Sequence, residues 1–300
     1  MRVSVIIPFF NRSHTIERCL ISVQKQTLRN FECLIIDDGS EPNETLALQS
    51  ITDGLKDERF RIITLTANRG GGAARNVGIE QAQGEFIAFL DSDDEWLHSK
   101  LEKQLNFSLA QGLPFISCQS YVHHASGIGV LPTRPLGAER VSDYLFSSNG
   151  WLHTSSFFLV RKALGSIRFD ESLPRHQDYD LLFQLEERGF RPVTLMAPLV
   201  KVHWEDLESS GRAASTANSE IFAASRIGCF TRRAHSCFVI KFLLIPKIKS
   251  VGRISALSIF HKSGFRFLFN RNLSLEVISM LLFKDKRALQ YAATLKSYFK

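Results

Sequence analysis

The sequence lacks the features that mark disulfide-rich, cysteine-zinc and membrane-spanning proteins. It has five cysteines, an odd number, and no Cys-x-x-Cys pair. Neither a disulfide framework nor a cysteine-based zinc site is therefore predicted, and a reducing compartment is favoured. No run of about eighteen uninterrupted apolar residues occurs, so no membrane-spanning helix is predicted. The residues from Met1 to Pro8 are typical of a β-strand and not of a signal peptide.

Positive charge is concentrated in the last quarter of the chain. Residues 226–300 hold 15 lysines and arginines against 2 acids, whereas the preceding part holds 22 basic and 28 acidic residues. Because these cations alternate with Phe, Leu and Ile, the region is predicted to lie on an anionic membrane surface. Helices that pack on the rest of the protein are the alternative. Nucleic acid is not expected as a partner, since no known binding module accompanies the charge.

Short apolar segments alternate with helical segments over the first hundred residues. Strands are predicted at residues 3–8, 31–36, 60–65 and 86–90. This alternation is typical of α/β proteins, in which a mainly parallel sheet is covered by helices on both faces. Three hundred residues are enough for one large α/β domain with appendages.

Acidic residues follow two of these strands directly. Asp37 and Asp38 come after the second strand, and Asp91, Asp93 and Asp94 come after the fourth. In an open α/β sheet this edge binds ligands, and carboxylates there suit Mg²⁺ or Mn²⁺ carrying a phosphorylated substrate. Two alternatives remain at this point. The acids can simply form turns and helix caps, or belong to a metal-dependent phosphohydrolase motif, Asp-x-Asp-x-Thr, in which Glu95 replaces the Thr.

A nucleotide fits the same edge. Asp38 can accept hydrogen bonds from a base or ribose, and Arg75 can offset phosphate charge. The glycines at 70–72 match neither Gly-x-Gly-x-x-Gly after the first strand nor a Gly-Lys-Ser/Thr loop. Dinucleotide and P-loop folds are therefore not favoured.

Four motifs in order resemble those of the family 2 glycosyltransferases. They are Val-Ser-Val-Ile-Ile-Pro-Phe-Phe-Asn, Ile-Ile-Asp-Asp-Gly-Ser, Asn-Arg-Gly-Gly-Gly-Ala-Ala-Arg-Asn-Val-Gly and Phe-Leu-Asp-Ser-Asp-Asp, all within residues 1–95. The resemblance implies a GT-A fold, with a Rossmann-like, mainly parallel sheet, to which the charge pattern adds a basic helical C-terminal region. It also implies an inverting, metal-dependent transferase of the type that builds bacterial surface polysaccharides.

The resemblance assigns roles to particular residues. Asp178 is implied as the catalytic base, although Gln177 stands where the family has Glu. Asp93 and Asp91 match the Asp-x-Asp motif that meets the metal, Mn²⁺ or Mg²⁺, and His203 matches a histidine near that metal. Asp180 is expected to be a surface acid of the same helix as Asp178. The residues implied in nucleotide-sugar binding are Pro8, Asn11, Asp38, Arg75, Asp91 and Ser92. Trp204 and Arg212 are further candidates for sugar and diphosphate contacts.

The expected organisation has three parts. Residues 1–105 form the nucleotide-sugar-binding half of the GT-A domain, residues 106–215 the acceptor-binding half, and residues 216–300 a basic amphipathic helical region. The expected donor is a UDP- or GDP-sugar, and the expected acceptor is a hydroxyl of a glycan or lipid-linked molecule. The expected location is cytoplasmic, on the inner face of the cytoplasmic membrane. A nucleotide-sugar-binding protein without catalysis is the second alternative to the transferase.

Overall fold

Continuous apolar runs build the centre of the sheet. β1 (Val3–Phe9) and β2 (Phe31–Asp37) are buried along almost their whole length, as expected for parallel strands covered on both faces. The computed structural model describes residues 2–124, 127–203 and 216–246. Within them, nine strands form one sheet in the order β3-β2-β1-β4-β8-β6-β9-β5, with β7 paired to β6. The other strands are β3 (Phe60–Thr64), β4 (Phe86–Phe89), β5 (Glu95–Trp96), β6 (Phe115–His124), β7 (Gly127–Leu131), β8 (Phe158–Val160) and β9 (Val193–His203).

Helices cover both faces of the sheet, which confirms the predicted α/β fold. Ile16 and Leu20 of α1 join the core formed by Val5 and Ile7 on one face of β1, whereas α3 packs on the other face beside Ile6. The helices are α1 (Ser13–Gln24), α2 (Pro42–Gly54), α3 (Gly71–Gln81), α4 (Lys100–Gln111), α5 (Arg161–Leu164), α6 (Gln177–Glu187), α7 (Thr216–Ser225) and α8 (Arg232–Val239).

The two halves of the sheet differ in strand direction. β3, β2, β1 and β4 are all parallel, whereas β8 runs antiparallel to both β4 and β6. β6 and β9 are parallel again, with register shifts on both sides of Gln119. The run Ser-Ser-Phe-Phe-Leu-Val-Arg at 155–161 predicts a further strand. Only Phe158–Val160 form β8, because Thr154–Ser156 form a turn of 3₁₀ helix.

Helix α4 corrects one prediction about the core. Leu101, Leu105 and Leu109 share a spacing that predicts a common buried face, and the first two are buried. Leu109, however, is 53% exposed. It lies in the last turn of the helix, just before Gly112 ends α4 in the left-handed conformation, so the buried face of α4 stops one turn earlier than the periodicity predicts.

The chain divides into two compact units, Met1–Gly137 with Gly150–Arg212, and Ala138–Asn149 with Ala213–Lys300. Within the second unit, the Phe146 ring stacks on Phe230 at 5.5 Å and meets Phe238 edge-on at 5.1 Å. Thr231 caps α8 by accepting the Ala234 N–H, and its hydroxyl donates to Asp143 at 2.6 Å. Residues 138–149, placed in the middle segment by the sequence, thus group with the C-terminal region. Most of that region, 247–300, lies outside the described residues.

Candidate active site

The parallel strands bring the predicted residues to one edge. β1 lies between β2 and β4. Just beyond the strand ends, the Asp38 N–H donates to the Phe9 carbonyl at 2.9 Å and the Leu90 N–H donates to the Ile6 carbonyl at 3.0 Å. Asp38 and Asp91 therefore leave the sheet on either side of β1. Pro8 is half-buried at the end of β1 itself.

Asp38 shapes the glycine-rich loop. Its two carboxylate oxygens accept the backbone N–H groups of Arg69 at 2.9 Å and Gly70 at 2.7 Å. Burial raises the pKa of Asp38 and outweighs the opposing effect of these hydrogen bonds. Gly39 has a φ of +68°, and a Cβ there would lie 2.4 Å from the Ala67 carbonyl carbon. Only glycine therefore fits between Asp38 and the neighbouring loop.

Asn11 joins this loop to the end of β1. Its φ is 49°, in the left-handed region that Asn tolerates. The Asn11 N–H donates to the Ser40 hydroxyl at 3.0 Å, and its side-chain oxygen accepts the Glu41 N–H at 2.9 Å. Asn11 thus positions the loop after β2, at the edge where the sequence predicts the nucleotide.

Arg75 links Asp91 to helix α6. Its Nη2 lies 2.5 Å from Asp91 Oδ1, and its Nη1 lies 3.4 Å from the side-chain oxygen of Gln177. Burial raises the pKa of Asp91, but the charges of Arg75 and His153 outweigh it, so the pKa lies below its ordinary value. Asp91 is therefore an ionised carboxylate at neutral pH.

Asp93 and Ser92 are held by hydrogen bonds from residues in and just before α1. Arg12 donates to the Asp93 carboxylate, and the Arg18 guanidinium donates to the Asp93 carbonyl at 2.9 Å. The Ser92 carbonyl accepts the Thr15 hydroxyl at 3.0 Å, and Ser92 is buried. In this arrangement Asp93 is neutralised by an arginine of the loop that precedes α1.

Asp94 and His153 complete the acidic cluster. Asp94 Oδ2 accepts the Ser155 hydroxyl at 2.6 Å and lies 3.5 Å from His153 Nδ1, while His153 Nε2 lies 3.7 Å from Asp91 Oδ2. Ligand atoms of Asp91, Asp94 and His153 all lie within 4.8 Å of one another. Burial, followed by repulsion from Asp93 and Asp91, raises the pKa of Asp94 well above its ordinary value. Two carboxylates and an imidazole so arranged can hold a divalent cation.

His203 lies beside this cluster but faces Glu95. Its Nε2 is 2.9 Å from Glu95 Oε1, and its ring lies 4.9 Å from that of His123. The His203 backbone N–H, in contrast, is hydrogen-bonded to Asp94. The structure therefore brings His203 close to the predicted metal site through its main chain. Trp204 and Arg212 lie outside the described residues.

Asp178 opens helix α6 in the same region. It lies within electrostatic reach of His153, Arg75 and Asp91. Burial raises its pKa, an effect that Asp91 reinforces and that His153 and Arg75 oppose. The residue before Gln177, His176, has a φ of 64°, which starts the helix at Gln177.

The prediction for Asp180 was wrong. Asp180 is fully buried and its carboxylate accepts the Gln184 side-chain amide at 2.8 Å. Its N–H donates to the His176 carbonyl at 3.0 Å. The periodicity of α6 alone does not show that a segment of the chain covers this face of the helix.

His153, Arg12 and Ser155 are site residues that the sequence did not reveal. His153 lies between a loop-rich segment that ends at Asn149 and a predicted strand at 155–161, and Ser155 is the first residue of that strand. Neither residue belongs to a motif that marks it as part of a site. Ser155 accepts the Asp91 N–H at 3.0 Å while its hydroxyl donates to Asp94, and its carbonyl accepts the Trp96 indole N–H at 2.8 Å. Only the antiparallel approach of β8 to β4 places this segment beside the acids.

A sheet of this topology, with helices on both faces, is the GT-A fold. The fold is similar to that of S. aureus TarS 1–349, with a TM-score of 0.64 and 19% identity over 98% of this chain and 87% of that one. It also resembles the mannosyltransferase PcManGT from Pyrobaculum calidifontis, solved with GDP-Man and Mn²⁺, with a TM-score of 0.60 and 16% identity over 100% and 88% of the two chains.

The chain belongs to glycosyl transferase family 2, whose model matches residues 4–162. It is 35% identical to the amylovoran biosynthesis glycosyltransferase AmsB of Erwinia amylovora over 209 residues, 67% of this chain and 69% of that protein. It is 40% identical over 114 residues to the UDP-Glc:alpha-D-GlcNAc-diphosphoundecaprenol beta-1,3-glucosyltransferase WfgD of Escherichia coli, 38% of this chain and 44% of that protein. The protein is therefore a glycosyltransferase, as its motifs indicate, and not a phosphohydrolase.

Proposed function

We propose that this glycosyltransferase transfers a sugar, with inversion, from a nucleotide-diphosphate sugar to a hydroxyl of a glycan or lipid-linked acceptor in surface-polysaccharide biosynthesis. The observation that carries the proposal is the link from Gln177, the residue before Asp178, through Arg75 to Asp91, with Arg75 lying 3.4 Å from the Gln177 side-chain oxygen and 2.5 Å from Asp91. A candidate base and a candidate diphosphate site thus meet at one edge of the sheet.

Asp178 is the proposed catalytic base. Inversion requires a carboxylate that removes the proton from the acceptor hydroxyl as that oxygen attacks the sugar carbon. Because its pKa is raised above the ordinary value, Asp178 is a stronger base than an exposed aspartate. Gln177 cannot act as a base. Its amide instead donates to the Leu173 carbonyl at 2.6 Å and accepts from Arg75.

Arg75 and the loops after β1 and β2 are the proposed donor site. Arg75 is a fixed cation at the predicted diphosphate, where charge grows as the nucleoside diphosphate leaves. Asp38 and Asn11 hold the loops that would enclose the nucleoside, and Pro8 and Ser92 lie at the same edge of the sheet. TarS 1–349 has been solved with UDP and with UDP-GlcNAc, and PcManGT with GDP-Man, so a UDP- or GDP-sugar is the proposed donor.

A divalent cation, Mn²⁺ or Mg²⁺, is proposed at the acidic cluster. The ligand atoms of Asp91, Asp94 and His153 fit such an ion, and Asp93 lies in the same turn. When bound, the cation would offset negative charge on the departing diphosphate. The protein residues would orient the donor and supply the base.

The acceptor and the location are proposed from relatives and from charge. The name of WfgD describes a lipid-linked diphosphoundecaprenol acceptor, and AmsB is named for the biosynthesis of a polysaccharide. In the part of the chain that the structure describes, no helix is long and apolar enough to cross a membrane. The basic region at 226–300 is the proposed contact with the inner face of the cytoplasmic membrane.

Asp178→Asn tests the proposed function. The variant should bind the nucleotide sugar as the wild type does but lose transfer by about 10²- to 10⁴-fold, the usual contribution of a general base. Nucleotide binding would be followed by thermal shift over a panel of UDP- and GDP-sugars, and transfer by release of the nucleoside diphosphate with an acceptor present.

Glu187→Gln provides the matched control, since Glu187 is an exposed acid at the other end of the same helix. That variant should transfer sugar at the wild-type rate. Turnover by Asp178→Asn at the wild-type rate would remove Asp178 from the mechanism. Binding of nucleotide sugars without any turnover by the wild type would instead favour the non-catalytic alternative.

A further inference from the structure

His153 lies between two carboxylates without a hydrogen bond to either. Its Nδ1 is 3.5 Å from Asp94 Oδ2 and its Nε2 is 3.7 Å from Asp91 Oδ2. Both distances exceed those of protein N–H···O hydrogen bonds. Among the described residues, no hydrogen-bond partner exists for the buried Nδ1 atom of His153. A buried polar atom without a partner is costly and calls for an explanation, such as an ion.

The ring of His153 is held in place from one side. It stacks on Trp151, with ring centroids 5.3 Å apart and an interplanar angle of 0°. The stack sets the plane of the imidazole while leaving both nitrogens directed at the acids. This is the geometry of a ligand oriented in advance, because a ring fixed by packing loses little entropy on binding an ion.

The two acids are oriented by other groups as well. Ser155 donates to Asp94 and accepts the Asp91 N–H, and the His203 N–H is bonded to Asp94. Metal-binding carboxylates are commonly held by such hydrogen bonds from outside the ligand set. Asp91 also divides its oxygens, with Oδ1 toward Arg75 and Oδ2 toward His153.

Asp93 and His203, two of the metal ligands that the family resemblance implies, contact other charged side chains. The Asp93 carboxylate is bonded to Arg12. His203 Nε2 lies 2.9 Å from Glu95 Oε1, and Lys201 lies 3.7 Å from the other oxygen of Glu95. Each therefore already has a partner of opposite or complementary charge.

We propose that Asp91, Asp94 and His153 bind the divalent cation, and that His153 supplies the nitrogen ligand that the family resemblance places at His203. The two carboxylates balance the charge of a divalent ion, and a neutral imidazole adds a ligand without adding charge. The inference rests on the proposed function, because the ion at this cluster would serve the donor diphosphate.

The test uses the full-length chain and Mn²⁺ alone, followed by electron paramagnetic resonance. Titration gives the dissociation constant, and pulsed measurements detect the coupling of ¹⁴N in a histidine bound to Mn²⁺. We expect the wild type to show nitrogen coupling. His153→Ala and the more conservative His153→Gln should lose it and bind Mn²⁺ at least about tenfold more weakly. Thermal melts of both variants show whether the fold survives, and the conclusion rests on the variant that remains folded.

His203→Ala and His98→Ala separate this ligand set from its rival. Both should keep the nitrogen coupling, since His203 faces Glu95 and His98 is an exposed residue of a loop. Loss of coupling in His203→Ala with retention in His153→Ala would overturn the proposal, as would Mn²⁺ bound without nitrogen coupling or not bound at all. Nitrogen coupling without any sugar transfer by the wild type would overturn the proposed function and leave this metal site standing.

Discussion

At the scale of single residues, aspartates that follow strands serve different purposes because their partners differ. Asp37 accepts the Ser40 N–H at 3.1 Å and the Thr45 hydroxyl at 2.8 Å, which is a structural role in a turn. Asp91 faces Arg75 and His153, where a cation can be held. The same residue type therefore closes a loop after one strand and belongs to the candidate active site after another.

Lys100 is a second residue whose environment defines its chemistry. It is fully buried at the start of α4, and its Nζ lies 3.8 Å from the centre of the Trp96 ring. Among the described residues, no hydrogen-bond partner is found for that Nζ. Burial lowers the pKa of Lys100 to about 7, although the nearby Cys118 opposes this. A lysine with a lowered pKa binds its proton more readily in the unfolded chain than in the folded one.

We predict that Lys100→Met abolishes a rise in stability between pH 7 and pH 9. Over this range unfolded Lys100 keeps its proton while folded Lys100 loses it, so the wild type gains about 2 kcal/mol of unfolding free energy from this group. The unfolding free energy of Lys100→Met relative to that of the wild type should accordingly be greatest at pH 7 and should decrease toward pH 9. Urea denaturation at the two pH values measures the difference, in which the titration of other groups largely cancels.

Lys103→Met is the control for that experiment. Lys103 lies on the same helix but is exposed, so its replacement should leave the pH dependence of stability unchanged. An equal change in unfolding free energy from pH 7 to pH 9 for the wild type and Lys100→Met would show that Lys100 does not titrate in this range.

At the scale of elements, the segment that precedes the helix carrying Asp178 is tethered to α3. Asn76 of α3 donates to the Phe169 carbonyl at 2.9 Å and accepts the Phe169 N–H at 2.9 Å. It also donates to Glu171, which pairs with Arg69 at 2.8 Å. The segment leading into α6 is thus aligned with the helix that follows the glycine-rich loop, which brings the proposed base toward the donor side.

Helix α3 packs closely against β1 because Gly78 has no side chain. A Cβ at Gly78 would lie 2.3 Å from Ile6 Cγ2, well inside van der Waals contact. Ile6 is fully buried in β1, so neither side chain has room to move away. The close approach of α3 to β1 is therefore a property of this one position.

We expect Gly78→Ala to destabilise the protein by about 1 to 2 kcal/mol. Overpacking costs about 1 to 3 kcal/mol, and the better helix propensity of Ala returns up to about 1 kcal/mol. Gly54→Ala in α2 is the matched control, because a Cβ there meets nothing within 4 Å. Chemical denaturation of both variants should show a loss for position 78 only; equal stabilities would mean that β1 and α3 yield at little cost.

At the scale of the whole molecule, charge separates the chain into two parts. The described Ala138–Asn149 segment groups with the C-terminal region, and residues 226–300 carry 15 cations against 2 acids. The remainder of the chain holds 22 basic and 28 acidic residues, so the net positive charge of the protein comes from the C-terminal part. This distribution supports the proposed membrane contact.

A charge-removal experiment tests that contact. Replacing Lys247, Lys249 and Arg253 by Ala should weaken binding to vesicles rich in anionic lipid by roughly a hundredfold, at about 1 kcal/mol per cation. Flotation of the full-length chain with anionic and with neutral vesicles gives the partition. The triple variant Lys25→Ala, Lys56→Ala and Lys103→Ala removes the same charge from exposed positions elsewhere and should float as the wild type does. If both triple variants lost vesicle binding equally, the attraction would depend on the net charge of the protein and not on the C-terminal cations.

Features that depend on residues close in sequence were predicted correctly. The four strands of the first hundred residues follow from apolar runs. The sequence pattern also predicts a helix from about Lys100 to Ala110 and another that opens at His176, and the structure has helices at Lys100–Gln111 and Gln177–Glu187. The grouping of Asp38, Arg75 and Asp91 at one edge follows from parallel order, since successive carboxyl ends must meet there. The strands after Trp96 were less predictable, because β6, β8 and β9 pair with segments far away in the chain.

The sequence by itself determined the α/β fold, the family and the acids at the ends of its strands, because these are written in local patterns and in motif order. Only the tertiary structure decided which groups those acids meet. Arg12 lies 81 residues from Asp93 in the chain and Ser155 lies 61 residues from Asp94, and no local rule connects them. His153 reaches Asp91 and Asp94 because β8 turns antiparallel beside β4, an arrangement set by the packing of the whole sheet.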